Sequence, residues 1–331
     1  MNILVTGACG FIGSHLVEKL VRQNHKVTAF VFYNSRNSKG WLDSLDTNIL
    51  KNLEIVFGDI RDEEIIFQNS KKKEIIFHLA ALIGIPYSYK AVKSYIDTNI
   101  IGTYNVLNSA KKNNVYKTII TSTSEVYGTA QTVPIKESHP LSAQSPYAAS
   151  KIAADQMAIS FYRSYNLPVS ILRPFNTFGP RQSARAIIPT IISQLLSNKK
   201  IIQLGNLFPT RDFTYIDDTV AAFIATIKKD NIYGEVINVG SEFEISIQDM
   251  VKILQKDFGL KFKVNVDKSR IREKKTEVKR LFSSSEKAKI LLSWSPKYAG
   301  KKGFIKGLDK TISWFKKDNN LKYYNSDIYN I

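Results

Sequence analysis

Two side chains that could transfer a proton lie four residues apart in the segment S-P-Y-A-A-S-K. Tyr147 and Lys151 would share one face of a helix, because residues i and i+4 lie one above the other. Ser145 suits the N-cap of that helix, and Pro146 suits its first turn. The helix dipole and the lysine charge would both lower the pKa of the phenol from about 10. The pattern predicts a phenolate near neutral pH; the alternative is a chance Tyr and Lys on a surface helix.

Further reactive groups precede this helix in the segment T-S-T-S-E-V-Y-G, which begins at residue 121. It holds the hydroxyls of Thr123 and Ser124 and the carboxylate of Glu125. A predicted apolar strand at 118–121 leads directly into it. We therefore treat 121–151 as one candidate site.

The predicted elements around this segment alternate between strands and helices. Apolar strands are expected at 2–6, 27–31, 54–57, 75–79, 118–121 and 169–172, and helices at 14–23, 95–113 and 146–165. This alternation predicts an α/β fold with a doubly wound parallel (Rossmann) sheet. The later half is more mixed: residues 187–197, 247–258, 286–292 and 304–315 read as helices, 201–204, 235–239 and 262–266 read as strands, and 211–218 should open a helix.

From this pattern we expect two domains. A dinucleotide-binding domain would span 1–175 with returns near 211–240, and a smaller mixed α/β C-terminal substrate domain would comprise 176–210 and 241–315. Residues 316–331 would form a polar, frayed tail. With 331 residues, 44% of them hydrophobic, the chain can bury the cores that such domains need.

Composition narrows the setting and the partners. The single cysteine, Cys9, excludes an internal disulfide, and neither a basic leader nor an apolar run of about 18 residues is visible, so we expect a cytoplasmic protein without a membrane segment or a metal site. The net charge of +18 is compatible with nucleic acid. However, the lysines are scattered and are not interleaved with aromatic residues, so no nucleic-acid partner is expected. A solvated lysine-rich surface and an anionic small substrate both remain possible.

A glycine loop follows the first predicted strand and opens the first predicted helix. Its spacing is G-x-x-G-x-x-G, and backbone N–H groups at such a helix start can hold a pyrophosphate. The alternative is a tight strand-to-helix turn that needs glycine for its shape. The candidate pyrophosphate-binding residues are Gly7, Gly10, Phe11, Ile12 and Gly13.

The residues after the next strands would complete a dinucleotide site. The second strand ends without the usual acid, and Arg36 could pair with a 2′-phosphate, which favours NADP over NAD as the cofactor. Asp59 could accept a hydrogen bond from the adenine amino group, and small residues after the fourth strand would let a flat cofactor pass. The candidates in these segments are Asn34, Ser35, Arg36, Asp59, Ile60, Leu79, Ala80 and Ala81, with Tyr147 and Lys151 at the nicotinamide end.

Taken in order, these motifs resemble the extended short-chain dehydrogenase/reductase family, whose members act on nucleotide sugars. The resemblance is carried by the glycine loop, G-D-I, L-A-A, S-T-S-E-V-Y-G, S-P-Y-A-A-S-K, R-P-F-N-T-F-G-P-R and T-R-D-F-T-Y-I-D-D, over nearly the whole chain. It implies that Tyr147 is the base that removes a sugar hydroxyl proton, with Thr123 at the catalytic Ser/Thr position. Lys151 would hold the nicotinamide ribose and lower the Tyr147 pKa.

The resemblance also implies a set of substrate contacts. Asn176 matches a sugar-diphosphate contact and Arg211 a phosphate clamp. Arg272 resembles a late arginine that holds the diphosphate, although Glu273 follows it where the family often has Pro. The alternative for Arg272 is one more charge in a basic loop.

Glu125 separates the possible reactions within the family. Dehydratases place an acid at this position, because a carboxylate must remove the C5 proton after oxidation at C4. Many carry Thr-Asp-Glu, whereas this chain has Thr123-Ser124-Glu125, a triplet that resembles those of GDP-mannose dehydratases and of UDP-glucuronate decarboxylases. Ser124 therefore leaves open which group protonates the departing hydroxyl; Glu125 could donate its acquired proton.

A closer resemblance favours dehydration. The segments F-V-F-Y-N-S-R-N-S-K-G-W-L-D, A-L-I-G-I-P-Y-S-Y and G-P-R-Q-S-A-R-A-I-I-P-T are similar to those of the UDP- or GDP-N-acetylglucosamine 4,6-dehydratases of legionaminic acid biosynthesis. It implies that Ile85 and Tyr87 lie beside the sugar and that Arg185, like Arg181, lies near the substrate; a surface position is the alternative for both arginines. The resemblance leaves uridine and guanosine nucleotides open.

Three functions therefore remain to be compared: a 4,6-dehydratase, which we favour, a decarboxylase or 4-epimerase on the same scaffold, and a redox sensor without catalysis. The complete set of Thr123, Tyr147 and Lys151 argues against the sensor. Helices 95–113 and 146–165 are amphipathic enough to form a homodimer interface; packing within one chain is the alternative.

Overall fold

The fold was analysed in a computed structural model that describes residues 1–317 and 320–329. The strands in this part of the chain are β1 (Asn2–Thr6), β2 (Lys26–Phe32), β3 (Leu53–Gly58), β4 (Ile75–His78), β5 (Lys117–Thr121), β6 (Val169–Pro174), β7 (Asn176–Phe178), β8 (Ile201–Leu204), β9 (Thr210–Tyr215), β10 (Val236–Val239), β11 (Glu244–Ser246) and β12 (Lys263–Val266).

The α-helices are α1 (Phe11–Arg22), α2 (Thr47–Lys51), α3 (Glu63–Ser70), α4 (Ile85–Ser88), α5 (Val92–Tyr95), α6 (Gly102–Lys112), α7 (Pro146–Tyr165), α8 (Ile187–Leu196), α9 (Ile216–Ala225), α10 (Ile247–Lys256), α11 (Glu286–Leu292) and α12 (Gly300–Lys316). Short 3-10 turns lie at Gly40–Ser44, Ser124–Tyr127, Thr226–Lys228, Lys268–Arg270 and Asn320–Tyr323. None of the helices in the described ranges is both long and apolar enough to cross a membrane.

A parallel seven-stranded sheet forms the centre of the molecule. Its order is β10-β6-β5-β4-β1-β2-β3, and every neighbouring pair is parallel. Strands β1, β4 and β5 are almost wholly buried because helices cover both faces of the sheet, which explains their continuous apolar runs. The predicted doubly wound α/β fold is confirmed. The strand order reverses between β1 and β4, where such a sheet opens a crevice at the carboxyl ends of its strands.

A second, three-stranded sheet departs from the sequence prediction for residues 211–218. We expected them to open a helix, but Thr210–Tyr215 forms β9, which pairs in parallel with β7 and antiparallel with β11, and the helix begins at Ile216. The physical reason is tertiary: Asp212 is buried and accepts hydrogen bonds from Ser241 and Ser283, which anchors β9 beside neighbouring segments. Strands β8 and β12 pair in parallel and form a separate two-stranded sheet. The proposed domain boundaries stay a prediction.

The predicted helix at 95–113 contains a π-turn. Residues Ile96–Ile101 join α5 to α6 with π-helical geometry. Asn99 within this turn is buried, and its amide bonds both the backbone of Leu82 (2.8 and 3.0 Å) and the hydroxyl of Ser150 (2.9 Å). The turn therefore fastens the segment after β4 to helix α7.

The C-terminal segment differs from the frayed tail that its polar composition predicts. Lys316 ends α12, and Tyr324 is buried against Trp41, Trp314 and Phe315. The Tyr324 hydroxyl donates a hydrogen bond to the backbone oxygen of Gln182 at 2.7 Å. One aromatic anchor thus holds the segment down, which the polar composition hides. The rest of the predicted tail, residues 318–319 and 330–331, lies outside the described residues.

Candidate active site

Helix α7 carries the predicted Tyr–Lys pair and begins as its sequence predicts. The Ser145 hydroxyl accepts a hydrogen bond from the Ala148 N–H at 3.1 Å, and Pro146 occupies the first turn. The helix ends at Asn166, whose left-handed backbone (φ 54°) closes it. Tyr147 and Lys151 are both buried on this helix. The chemistry-bearing pair is therefore held on a rigid element.

Lys151 lies against the end of β5. Its ammonium donates a hydrogen bond to the Thr121 backbone oxygen at 2.6 Å. Burial lowers the pKa of Lys151, and the negative charge of Asp155, one helical turn further on, opposes that shift. Lys151 thus joins helix α7 to the strand that leads into the Thr123–Glu125 segment.

Tyr147 differs from the phenolate that we expected near neutral pH. Burial raises the pKa of Tyr147 well above its ordinary value, and the charges of Glu125 and Asp155 raise it further. A hydrogen bond with Thr123 works in the opposite direction but does not compensate. The helix dipole and a neighbouring lysine are outweighed because the phenol is 7% exposed and its charged form would lose most of its hydration. In this structure, Tyr147 therefore carries its proton at neutral pH.

The Thr123–Glu125 segment turns sharply after β5. The Thr123 hydroxyl accepts the Glu125 N–H at 3.2 Å and caps the 3-10 turn at Ser124–Tyr127. All three side chains of the triplet are buried, Ser124 among them. No hydrogen bond to the Glu125 carboxylate occurs within the described part of the chain, although its charge acts on both Tyr147 and Arg211. The Glu125 carboxylate thus acts on the phenol through its charge, and its oxygens are free for a substrate proton.

Two arginines, Arg211 and Arg272, form a positively charged cluster near this carboxylate, which we call the positively charged wall. Arg211 on β9 is buried, donates to the Thr210 backbone oxygen at 3.0 Å, and lies 3.7 Å from the Glu277 carboxylate. Burial lowers the pKa of Arg211, and the nearby Arg272 lowers it further, while Glu125 and Glu277 act to raise it. The structure therefore brings Arg211, Arg272 and Glu125 together, as an anion site beside a base requires.

Asn176, which begins β7, also fits a polar ligand. Its side-chain oxygen is buried and has no hydrogen-bond partner among the described residues. An unpaired buried oxygen is costly, and a hydroxyl or amide donor of a ligand would satisfy it.

The glycine loop fits the diphosphate of a dinucleotide. Gly7 has a left-handed backbone (φ 67°), and a Cβ there would lie 2.6 Å from the Ala80 nitrogen. A Cβ on Gly13 would lie 2.2 Å from the Gly7 oxygen. Helix α1 begins at Phe11, and its N-cap, Gly10, supplies no side-chain hydrogen bond to the first turn. The loop is therefore tightly packed. The N–H groups of Ala8 and Gly10 bond the backbone oxygens of Phe30 and Gly7 at 3.3 and 3.1 Å, so an anion would bind at the N–H groups that begin helix α1.

Thr6 fastens this loop to the segment after β4. Its hydroxyl accepts the N–H groups of Leu79 and Ala80, both at 3.2 Å, and bonds the buried His78 ring at 2.8 Å. Leu79, Ala80 and Ala81 are half-buried beside the glycine loop, as a passage for a flat cofactor needs.

The candidates at the adenosine end make local contacts. The Asn34 side chain closes its own turn by bonding the backbone of Ser38 (2.9 and 3.0 Å), while Ser35 and Arg36 are exposed. The Asp59 carboxylate accepts from Arg61 rather than standing free, and Arg61 holds the pKa of Asp59 below its usual range. Ile60, the next residue, is buried.

The sugar-side candidates meet around Tyr95, which the sequence interpretation missed. The Tyr95 ring contacts Tyr147 (centroids 6.3 Å apart) and Tyr87 (6.2 Å apart), and its hydroxyl donates to the Gly84 backbone oxygen. Ile85 begins α4 directly after Gly84 and is half-buried. The exposed Arg185 lies against the same glycine, because a Cβ there would be 3.1 Å from its guanidinium. Arg181 lies apart from this cluster, paired with Glu18 of α1 at 2.8 Å.

Known proteins match this chain along almost its whole length. The family model described as GDP-mannose 4,6 dehydratase matches residues 4–306. A human dTDP-D-glucose 4,6-dehydratase is 32% identical over 323 residues, covering 96% of this chain and 90% of the human protein.

Two solved structures show the same architecture. A UDP-glucuronic acid 4-epimerase from Bacillus cereus, in complex with UDP-glucuronic acid and NAD, is 30% identical with a TM-score of 0.84 and covers 96% of this chain and 99% of its own. A dTDP-glucose 4,6-dehydratase from Streptomyces venezuelae, with NAD bound, is 28% identical with a TM-score of 0.84 and covers 96% of this chain and 98% of its own.

Proposed function

This chain belongs to the GDP-mannose 4,6-dehydratase family, within the extended short-chain dehydrogenase/reductases, and from that premise we propose that it is a nucleotide-sugar 4,6-dehydratase. The proposed substrate is UDP- or GDP-linked N-acetylglucosamine, and the proposed product is its 4-keto-6-deoxy sugar. The substrate assignment rests on the resemblance to the dehydratases of legionaminic acid biosynthesis.

One observation carries the proposal: a buried carboxylate, that of Glu125, acts electrostatically on Tyr147 and has no hydrogen-bond partner among the described residues. A simple oxidation or epimerisation at C4 needs one base, whereas dehydration across C5 and C6 needs a second. Tyr147 and Glu125 supply two bases in one buried site. A carboxylate that has no protein partner and whose charge acts on the phenol is best explained by a reaction that uses it.

The residues divide the reaction between them. A bound nicotinamide would accept the hydride from C4 and return it to C6. In its deprotonated form, Tyr147 takes the proton of the C4 hydroxyl, and the Thr123 hydroxyl holds the phenol in place. The resulting C4 ketone makes the C5 proton acidic, and Glu125 removes that proton. The hydroxyl on C6 then leaves with a proton from Glu125 as water, and Tyr147 returns the proton that it took from the C4 hydroxyl to C5. The nucleotide sugar thereby loses one water and the cofactor ends unchanged.

We propose NAD as the cofactor, not NADP as the sequence pattern favoured. The solved relatives above are NAD complexes, and NADP has no such support. Arg36, the proposed partner of a 2′-phosphate, lies exposed in a turn that Asn34 closes on itself. Calorimetric titration with the two cofactors should therefore give tighter binding of NAD, and Arg36→Ala should leave NAD affinity close to that of the wild type.

The substrate diphosphate would bind at the positively charged wall. Arg272 is close enough to Arg211 to lower its pKa, and the unpaired oxygen of Asn176 offers an acceptor for the substrate. Phosphate oxygens paired with two guanidinium groups would replace the weak contact between Arg211 and Glu277. Ile85, Tyr87 and Arg185 would border the sugar through their contacts around Gly84 and Tyr95.

The direct test is the mass of the product. The purified protein is incubated with NAD and, separately, with UDP-N-acetylglucosamine, GDP-N-acetylglucosamine, dTDP-glucose and UDP-glucuronate. Loss of one water with the acetyl group retained supports the proposal. Loss of water only from dTDP-glucose would support 4,6-dehydration but assign a different substrate. No mass change with either N-acetylglucosamine nucleotide refutes the proposed substrate.

A second candidate is a decarboxylase or 4-epimerase acting on UDP-glucuronate. It is favoured by the Bacillus cereus 4-epimerase, whose structure has UDP-glucuronic acid bound and matches 96% of this chain. Loss of carbon dioxide, or a new C4 epimer at unchanged mass, would identify these reactions in the same experiment.

We also propose that two copies of the chain pair through helices α6 and α7. The exposed residues Ile101, Tyr104 and Tyr165 lie on these helices or directly before them, at 44, 37 and 55% exposure. Light scattering should give a dimer that Ile101→Asp weakens. Ile290→Asp, at a 71% exposed position on α11, is the control and should leave the dimer intact; a monomeric wild type would contradict the proposal.

A further inference from the structure

A buried ion pair to which the sequence analysis assigned no role lies next to the reactive segment of the candidate active site. Asp155 on α7 is 0% exposed and Arg173 on β6 is 2% exposed, and their charged groups are 2.9 Å apart. Burying two charges is costly, and a pair at this depth is weak evidence for stability by itself. Its remaining contacts indicate what it does.

Each member of the pair holds one end of the same short segment. Asp155 accepts a hydrogen bond from the Ser122 hydroxyl at 2.7 Å. Arg173 donates to the Tyr127 hydroxyl at 2.9 Å, and its guanidinium lies 5.0 Å from the centre of that ring. Ser122 directly precedes Thr123, and Tyr127 follows Glu125 by two residues, so the pair holds the segment 122–127, which contains the reactive triplet, at both ends.

Further hydrogen bonds connect the Asp155–Arg173 pair indirectly to Asn238 and to Lys151. The Tyr127 hydroxyl donates to the Asn238 side chain at 2.8 Å, and Asn238 in turn donates to the Ile135 backbone oxygen at 3.1 Å. Asp155 stands one helical turn after Lys151, whose ammonium bonds the Thr121 oxygen next to Ser122. Helix α7, the end of β5 and strand β6 are thereby joined through one buried pair.

We infer that Asp155 and Arg173 are positioning residues, which hold the segment 122–127 so that Thr123 and Glu125 meet Tyr147 and its substrate in a productive geometry. The inference rests on the proposed dehydration for its kinetic readout. Neither residue touches a reacting atom. Their effect passes through Ser122 and Tyr127, and its loss should lower the catalytic rate more than ligand affinity.

The test compares two variants with a matched control. Asp155→Asn keeps the shape and the acceptor oxygen but removes the charge that faces Arg173. Tyr127→Phe keeps the ring and removes only the hydroxyl that Arg173 and Asn238 bond. The control is Asp218→Asn, which neutralises another buried carboxylate, on α9, whose partners are the N–H groups of Lys297 and Tyr298 at 2.9 and 2.8 Å.

Steady-state kinetics, NAD titration and amide hydrogen exchange are measured on all four proteins. For Asp155→Asn we expect kcat to fall roughly 10- to 100-fold, while KM and the Kd for NAD change by less than about threefold. In Tyr127→Phe, kcat should also fall, by a smaller factor. Amides 122–127 should exchange faster in both variants and not in the control, since only the former release the segment.

The outcomes separate this inference from the proposed reaction. A wild type that dehydrates none of the sugars refutes the reaction, and hydrogen exchange then still decides whether the pair holds the segment. Unchanged kcat and unchanged exchange in Asp155→Asn and Tyr127→Phe would overturn the inference. So would a uniform loss of kcat and affinity that Asp218→Asn reproduces, because that result describes general destabilisation.

Discussion

Replacing Glu125 with Gln changes one charge and leaves the local structure in place. The hydrogen bond that shapes the turn comes from the Glu125 backbone N–H to the Thr123 hydroxyl, so the side-chain amide does not disturb it. No contact to the carboxylate is lost among the described residues, and thermal unfolding should stay close to that of the wild type. Loss of a positioned general base costs roughly 10²- to 10⁴-fold in rate, or about 3–5 kcal/mol in activation free energy.

The assay follows the two halves of the reaction separately. Oxidation at C4 depends on Tyr147 and is monitored by the absorbance of reduced nicotinamide. Removal of the C5 proton depends on Glu125 and is monitored by deuterium exchange from solvent into C5. In Glu125→Gln we expect reduced cofactor and the C4 ketone to accumulate, with C5 exchange and water loss slowed by the factor above.

The matched control removes the other carboxylate that faces Arg211. Glu277→Gln takes away a negative charge 3.7 Å from that guanidinium but leaves the proposed base in place. Water loss should persist in this variant, and any change should appear in substrate affinity. Normal water loss in Glu125→Gln, or equal loss of dehydration in both variants, would refute the role of Glu125 as the second base.

Three further predictions follow from the packing and the charges. Because burial and the charge of Glu125 raise the pKa of Tyr147, the rate of C4 oxidation should rise with pH beyond neutrality, and Glu125→Gln should move that rise to lower pH in stopped-flow measurements. Gly7 has φ 67°, and a Cβ there would lie 2.6 Å from a backbone nitrogen after β4. Gly7→Ala should therefore abolish NAD binding in calorimetry and cost about 1–3 kcal/mol of stability. The control is Gly300→Ala, at φ 65° with nothing within 4 Å of its Cβ, which should keep NAD binding. Tyr324→Ala should cost about 3–5 kcal/mol in the free energy of unfolding measured with urea, and Tyr324→Phe, which loses one hydrogen bond, only about 1 kcal/mol; equal costs would contradict an aromatic anchor.

The main sheet could be predicted from the sequence because its strands are covered on both faces. Such strands are unbroken apolar runs between helical patterns, and α7 shows its cap, first-turn proline and end signals openly. The small sheet of β7, β9 and β11 has no such signature. Its strands are three to six residues long and include the polar Arg211 and Asp212, whose burial is explained only by partners far away in the chain.

The candidate site, too, could be predicted where its signals are local and could not be predicted where they depend on tertiary packing. Residue types and order were enough to single out Thr123, Tyr147 and Lys151 as candidates, because the motif spacing is local. The protonation of Tyr147 was not predictable, since burial is a property of the packed molecule and outweighs the helix dipole. The pairing of Asp155 with Arg173 also gave no local signal, because the two residues lie on different elements, 18 residues apart in the chain.

The raised pKa of Tyr147 has a consequence for the order of proton transfers in the proposed reaction. The sugar releases two protons, from the C4 hydroxyl and from C5, before water formation and the return of hydride consume two, so both bases must be protonated together between the steps. The reaction starts from the deprotonated form of Tyr147, and while Glu125 is charged it raises the pKa of the phenol and so favours uptake of the first proton. Once Glu125 has accepted the C5 proton, that charge is gone, the Tyr147 pKa falls, and the phenol becomes a better donor. The two groups are therefore coupled, so that the transfer made by one prepares the other for its next step.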